Sequence, residues 1–227
     1  SLDAFLTAEV FALFGQQVWC IRLVQSLLYL GTIATTVLIG KEAFGSRKTG
    51  LLAALLLAIP PVNVTLYTTA SLGGYGEALL LGNLSLLTAL AARRRLLQPG
   101  THFPAAWFGA WGLLVGVGLW ANGLTLVYTV PSGLFLLWTL WMRRRGWLAS
   151  FFLAAFAGFL VGSLPWWLYA LSNGADKLLL ELFGSAVAVE NEPWLARTGS
   201  HLVNFLILGT TVIFGFRPPW VVNWLSL

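Results

Sequence analysis

The sequence predicts an all-α integral membrane protein, a polytopic bundle of about seven transmembrane helices. Of its 227 residues, 58% are hydrophobic and only 9% are charged, whereas a soluble domain carries roughly 25% charged residues. The apolar residues form long blocks, and a helical block of roughly 20 residues spans the hydrocarbon core of a bilayer. The 12 tryptophans agree with this class, because indole rings favour the membrane–water interface.

Seven apolar segments are predicted to span the membrane. In chain order they are 23–40, 51–70, 73–92, 107–121, 124–142, 147–171 and 201–216. Prolines fall inside three of them, at Pro60-Pro61, Pro131 and Pro165. Each proline is expected to kink its helix, with neighbouring helices satisfying the freed carbonyl groups.

The basic residues indicate how these spans are threaded. If the loops alternate sides, ten of the 13 basic residues fall on one side, namely Lys41, Arg47, Lys48, Arg93, Arg94, Arg95, Arg143, Arg144, Arg145 and Arg217. That side is expected to be cytoplasmic, because short cytoplasmic loops are enriched in Lys and Arg. A single span over 107–142 would separate the two arginine triplets, so Asn122-Gly123 is interpreted as a tight outer turn. Basic residues confined to short loops also argue against nucleic-acid binding.

Residues 1–227 are predicted to form a single transmembrane helical domain. The chain lacks an initiating Met and closes in an apolar run, 220–227, that is too short to span, so we expect a fragment of a longer protein. The single cysteine, Cys20, excludes an intrachain disulfide, and no Cys/His cluster indicates a metal site. The sequence indicates no particular cofactor.

Small residues recur at helical spacing in two of the spans. Gly112 and Gly116 form one pair, and Gly158 and Gly162 form the other. Such pairs let helix backbones approach closely in lipid. We favour packing within this bundle over a dimer interface as their role.

Most acidic residues are predicted to lie on the outer side, where a hydrophilic reaction chamber is therefore expected. Two outer segments, 1–22 and 172–200, mix acidic with large apolar residues, as helices lying on a membrane surface do. On a helical wheel five large apolar residues share one face, namely Leu2, Phe5, Leu6, Val10 and Leu13. Asp3 and Thr7 lie off that face. Glu9 falls within the apolar arc, so an irregular structure is the alternative for the first segment.

Two charged residues stand out on that side. Glu77 follows the glycine-rich run that begins at Gly73, and glycines permit close approach by a ligand. Glu77 is therefore a candidate catalytic residue, and the alternative is a carboxylate that stabilises a helix N-terminus. Arg22 lies near the outer end of the first span, where it either binds a phosphate or extends its side chain to the interface.

Several stretches resemble bacterial GT-C glycosyltransferases, in particular the relatives of protein O-mannosyltransferases. The similarity is carried, in order, by the segments at 1–6, 11–15, 19–23, 44–47, 51–61, 73–77 and 162–167, the last reading Gly-Ser-Leu-Pro-Trp-Trp. It extends over nearly the whole chain, although no single motif is diagnostic. The family's acidic motif normally follows the first transmembrane helix, and the resemblance implies that this helix is absent here.

The resemblance implies a membrane enzyme that takes a sugar from a polyprenyl-phosphate carrier on the extracytoplasmic face, in a bacterial plasma membrane. Our own candidates for its site residues are Glu77 as the catalytic acidic residue, and Arg22 and Arg197 as the residues that bind phosphate. The 227-residue piece alone is expected to be inactive. The alternative is a non-catalytic helical subunit of a larger membrane assembly, such as an electron-transfer or light-harvesting complex, with other membrane proteins as partners. A transporter is less favoured, because no charge pair lies at the middle of the predicted spans.

Overall fold

The computed structural model describes residues 2–69, 74–100, 102–143 and 145–174, together with residues 203 and 206. These residues form helices and contain no strand. The α-helices, in chain order, are α1 Leu2–Phe14, α2 Val18–Phe44, α3 Arg47–Ala58, α4 Val62–Thr69, α5 Tyr75–Leu97, α6 Ala105–Ala121, α7 Leu126–Arg143, α8 Leu148–Gly162 and α9 Leu164–Asn173. The prediction of an all-α bundle is confirmed for this part of the chain.

The longest helices coincide with predicted spans. Within the described residues, three are long and apolar enough to cross a membrane: Val18–Phe44, Tyr75–Leu97 and Gly123–Arg143. The pair α8 and α9 would make a fourth span if it crosses as one, and α6 is apolar but shorter. The predicted span at 201–216 lies outside the described residues, apart from positions 203 and 206, so the total of about seven stays a prediction.

The prolines act differently from one span to the next. At Pro60-Pro61 the predicted span 51–70 is broken into α3 and α4 rather than kinked, since two successive residues lack the N–H that continues a helix. Pro165 occupies the first turn of α9, where its missing N–H costs nothing, and α8 and α9 meet at 61°. Helix α7 continues through Pro131.

The predicted division between the fourth and fifth spans is confirmed. Helix α6 ends at Ala121, and a short 3-10 turn, Gly123–Thr125, leads into α7. The Asn122 side chain accepts a hydrogen bond of 2.9 Å from the backbone N–H of Leu124, which closes the turn. Asparagine favours this geometry because its short side chain bonds to nearby backbone groups.

Glycines bring α6 and α8 into backbone contact. A Cβ atom added at Gly112 would lie 1.9 Å from the carbonyl oxygen of Ala155, and one at Gly158 would lie 2.0 Å from that of Gly109. No side chain fits between these backbones. Both glycine pairs therefore lie at the contact between α6 and α8 within one chain, as predicted.

A polar contact joins α2 and α5 in the middle of the bundle. The Asn83 amide donates hydrogen bonds of 3.1 Å to the Thr32 carbonyl, 3.2 Å to the Thr35 hydroxyl and 3.1 Å to the Thr36 hydroxyl. Asn83 is buried. Hydrogen bonds between helices hold membrane bundles together where apolar contacts cannot distinguish a helix from lipid.

The two ends of the helix bundle differ in their charged residues. Arg94, near the end of α5, forms a 2.8 Å salt bridge with Glu42, near the end of α2. At the opposite end of the bundle, the start of α5 packs against the end of α6, where Gly74 lies beside Ala121. We call the first the basic end and the second the Glu77 end.

Candidate active site

Glu77 lies in the first turn of α5, at a position fixed by the glycines before it. Gly74 caps the helix with a φ of 86° in the left-handed region, which favours glycine. A Cβ atom at Gly74 would also lie 2.8 Å from the carbonyl oxygen of Ala121. The start of α5 is thereby held against the end of α6, and the Glu77 side chain is directed into the bundle.

The Glu77 carboxyl group is enclosed by polar residues from two other helices. Asp3 of α1 and Gln25 of α2 interact electrostatically with it. These two are bonded to each other, because the Gln25 amide donates a 2.7 Å hydrogen bond to Oδ1 of Asp3. All three side chains are buried, and Glu77 is only 1% exposed. We call Asp3, Gln25 and Glu77 the carboxylate cluster.

Neither carboxylate oxygen of Glu77 has a hydrogen-bond partner among the described residues. The hydroxyl group of Thr7, one helical turn after Asp3, is also buried without a partner there. A buried polar group without a hydrogen bond costs free energy, on the order of 1–3 kcal/mol and more when it is charged. Such a cost marks Glu77 as a candidate functional residue rather than a stabilising one. The N-terminal helix position still offers some dipole stabilisation.

The glycines beside Glu77 serve close packing of the chain upon itself. We expected them to leave room for a ligand, but a Cβ atom at Gly76 would lie 2.6 Å from Oε1 of Gln25. The space that Gly76 opens is thus occupied by the Gln25 side chain. Gly73 lies outside the described residues.

Arg22 is not part of the carboxylate cluster. Its side chain is exposed, whereas Glu77 is enclosed, so the two do not face a common open cavity in this structure. Arg22 lies about one helical turn before Gln25 on α2, so only a short distance along that helix separates it from the cluster. Arg197 lies outside the described residues.

Sequence reasoning missed Asp3 and Gln25 as neighbours of Glu77. A signal existed, because Asp3 and Thr7 lie off the apolar face of the first segment, one helical turn apart. That segment is the regular helix α1. Its buried residues are polar and most of its exposed residues are apolar, which is the reverse of a helix in a soluble protein. Asp3 and Thr7 face inward, while Phe5, Leu13 and Phe14 are exposed. In a bilayer this orientation is favourable, since lipid covers the apolar face.

Two adjoining cavities lie along α5, and both are lined by Leu79 and Tyr128. One, of about 210 Å³, is almost wholly apolar and is lined by Tyr75 and Ala78, which lie within two positions of Glu77 in the sequence. The other, of about 420 Å³, continues between α2, α3, α5 and α7 and includes Asn83. Together they form a groove from the Glu77 end toward the middle of the bundle, which we call the Tyr128 groove.

Comparison with known proteins identifies a family whose sequences this chain matches. A family model described as dolichyl-phosphate-mannose-protein mannosyltransferase matches residues 2–169. No curated protein and no solved structure matches the chain. The matched region begins with α1 and includes all three members of the carboxylate cluster.

Proposed function

Because the chain belongs to the dolichyl-phosphate-mannose-protein mannosyltransferase family, we propose that it transfers a sugar from a polyprenyl-phosphate carrier at the extracytoplasmic face of the membrane. Membership makes it a polytopic, integral membrane protein of the GT-C class and supports a glycosyltransferase-like function. The identity of the carrier and the side of the membrane are our proposals, as are the residues that carry the reaction.

The observation that carries the proposal is the fully buried carboxyl group of Glu77 beside that of Asp3. A carboxylate is a suitable general base for a hydroxyl group when it is held in a fixed position. In the proposed reaction, Glu77 accepts the proton of the acceptor hydroxyl as that oxygen attacks the anomeric carbon of the sugar. Asp3, held by Gln25, fixes the position of Glu77. The bond from the anomeric carbon to the carrier phosphate breaks as the new bond forms.

The departing phosphate needs positive charge near the same end of the bundle. Arg22 on α2 is our candidate, with Arg197 as a second, because a guanidinium group can donate two parallel hydrogen bonds to phosphate oxygens. Arg22 is exposed and lies about one turn from Gln25.

The Tyr128 groove supports a lipid-linked donor. Its outer part is apolar and lies beside Tyr75 and Ala78, which are the sequence neighbours of Gly76 and Glu77. A polyprenyl chain is apolar in lipid and in the groove alike, so its transfer into the groove changes the free energy little. Binding would therefore depend on the phosphate being held at the Glu77 end. The groove would hold the apolar chain of the carrier along α5, the helix that carries Glu77.

The test is sugar transfer by the intact protein in membranes, with Glu77→Gln compared with Glu9→Gln. Glu9 lies on α1 and is exposed, so the control removes the same charge away from the cluster. We expect Glu77→Gln to lower turnover at least about 100-fold, since general acid–base catalysis contributes roughly 10²–10⁴. Glu9→Gln should retain activity.

A second variant separates the roles of the two carboxyl groups. Asp3→Asn should lower turnover less than Glu77→Gln does. The double variant should be no worse than Glu77→Gln alone, because groups that act as a unit are non-additive. Full turnover by Glu77→Gln, with normal amounts of folded protein, would refute the catalytic assignment.

A further inference from the structure

The basic end contains a further cavity, at the opposite end of α5 from Glu77. It has a volume of about 490 Å³ and lies between α5 and α7. Its lining combines cationic, aromatic and aliphatic side chains: Arg93, Leu97, Phe135, Trp138, Thr139, Met142 and Arg143. Two helices thus each contribute one arginine to the same cavity.

The two arginines of this cavity lack a carboxylate partner in the described part of the chain. Glu42 is the only acidic residue described at this end, and Arg94 already binds it at 2.8 Å. The Arg93 guanidinium lies 5.1 Å from the centre of the Phe135 ring, a cation–π contact that limits where it can point. Arg93 and Arg143 therefore present uncompensated charge to a cavity that suits an anion.

The apolar part of the lining favours a lipid over a soluble anion. Trp138 is 65% exposed and Met142 is 59% exposed, although both border a cavity with two guanidinium groups. A free phosphate would use only the arginines. A phospholipid would use both, because its phosphate suits guanidinium groups and its acyl chains suit the indole and thioether surfaces. Tryptophan is also enriched at the depth where head groups meet acyl chains.

We propose that this cavity binds the phosphodiester group of an anionic phospholipid through Arg93 and Arg143, with the acyl chains against Trp138 and Met142. The site lies at the opposite end of the bundle from Glu77 and does not depend on sugar transfer. It gives two of the basic residues a specific ligand beyond their general effect on topology.

The experiment measures retention of phosphatidylglycerol by the intact, detergent-purified protein, using native mass spectrometry. Phosphatidylcholine tests the need for net negative charge, and inorganic phosphate tests for a free-anion site. The double variant Arg93→Gln/Arg143→Gln is compared with Arg95→Gln, which alters the same exposed triplet but not the cavity lining. We expect phosphatidylglycerol affinity to fall about fivefold for each cavity arginine, the factor that corresponds to about 1 kcal/mol per basic residue at an anionic surface.

The controls decide between a built site and a diffuse charge effect. Arg95→Gln should bind phosphatidylglycerol as the unaltered protein does, and an equal loss there would overturn the proposal. Displacement of phosphatidylglycerol by millimolar inorganic phosphate would also overturn it, in favour of a free-anion site. Trp138→Ala keeps both arginines and provides a second test should the double variant fold poorly. It should weaken phosphatidylglycerol binding, and unchanged binding would refute the role of the acyl chains.

Discussion

The two ends of the bundle treat charge in opposite ways. At the Glu77 end, carboxyl groups from α1 and α5 are buried together around Gln25. At the basic end, the arginines of 93–95 and Arg143 are exposed, and Arg94 is paired with Glu42 on the surface. Exposed charge near a membrane surface costs little, whereas buried charge is costly unless it is paired. Charged residues therefore have two different roles in this chain. The exposed arginines at the basic end indicate the topology, and the buried carboxyl groups at the Glu77 end are candidates for catalysis.

The largest expected effect is an all-or-none difference in chemical accessibility between the ends. Gly123→Cys and Gly146→Cys place single thiols at exposed positions where an added Cβ atom meets nothing within 4 Å. A membrane-impermeant maleimide applied to intact cells should label Gly123→Cys and not Gly146→Cys. The natural Cys20 is buried, so it should give little background.

Permeabilised cells provide the control for that experiment, since both thiols should then react. Labelling of Gly146→Cys alone from outside would reverse the proposed orientation of the protein. Labelling of both from outside would contradict the assignment of the two ends to opposite sides of the membrane.

A smaller but still large loss of stability is expected from overpacking the contact between α6 and α8. Gly158→Ala places a methyl group 2.0 Å from the Gly109 carbonyl oxygen, so α6 and α8 must separate. Overpacking of this kind costs typically about 1–3 kcal/mol. We expect a lower unfolding temperature in detergent, together with weaker phospholipid retention and weaker sugar transfer.

Gly146→Ala is the matched control for this variant, because open space surrounds its position. It should unfold at the temperature of the unaltered protein. A Gly158→Ala protein that lost function at one end only, at unchanged stability, would show that the two ends do not depend on a common helix frame.

The smallest effect is expected from the surface salt bridge at the basic end. Glu42→Gln removes the partner of Arg94, whose side chain is 58% exposed. Exposed ion pairs contribute roughly 0–1 kcal/mol, so thermal unfolding should change little. Glu9→Gln is the control, because Glu9 is exposed and is not bonded to Arg94. A loss of unfolding free energy well above about 1 kcal/mol in Glu42→Gln would show that this salt bridge stabilises the fold.

Much of the fold could be predicted because it depends on properties that residues carry individually. Apolar blocks predict where helices lie, and four of the predicted spans coincide with α2, α5, α6 and α7. The turn at Asn122-Gly123 followed from the need to keep both arginine triplets on one side. The effect of Pro60-Pro61 was underestimated, since whether a proline pair kinks or breaks a helix depends on what surrounds it.

The candidate site was only partly predictable. Glu77 could be identified from its position at the start of an apolar helix after a glycine-rich run. The inward direction of Asp3 had a signal in the helical wheel, but its pairing with Gln25 and Glu77 had none, because these residues belong to three helices that meet only in the folded bundle. The role of Arg22 in binding phosphate stays a prediction; its side chain is exposed on α2, about one turn from Gln25.

The sequence by itself determined that this protein is embedded in a lipid bilayer. It also determined the extent of the main helices and the separation of basic from acidic ends. These follow from the transfer of each residue between water and lipid, which needs no knowledge of its partners. Only the tertiary structure decided how each helix is rotated about its axis. That rotation directs Asp3 inward and Phe5 outward, and it brings Gly112 against Ala155. Rotation is set by side-chain packing between helices distant in sequence, because lipid presents a uniform apolar surface to every apolar helix face.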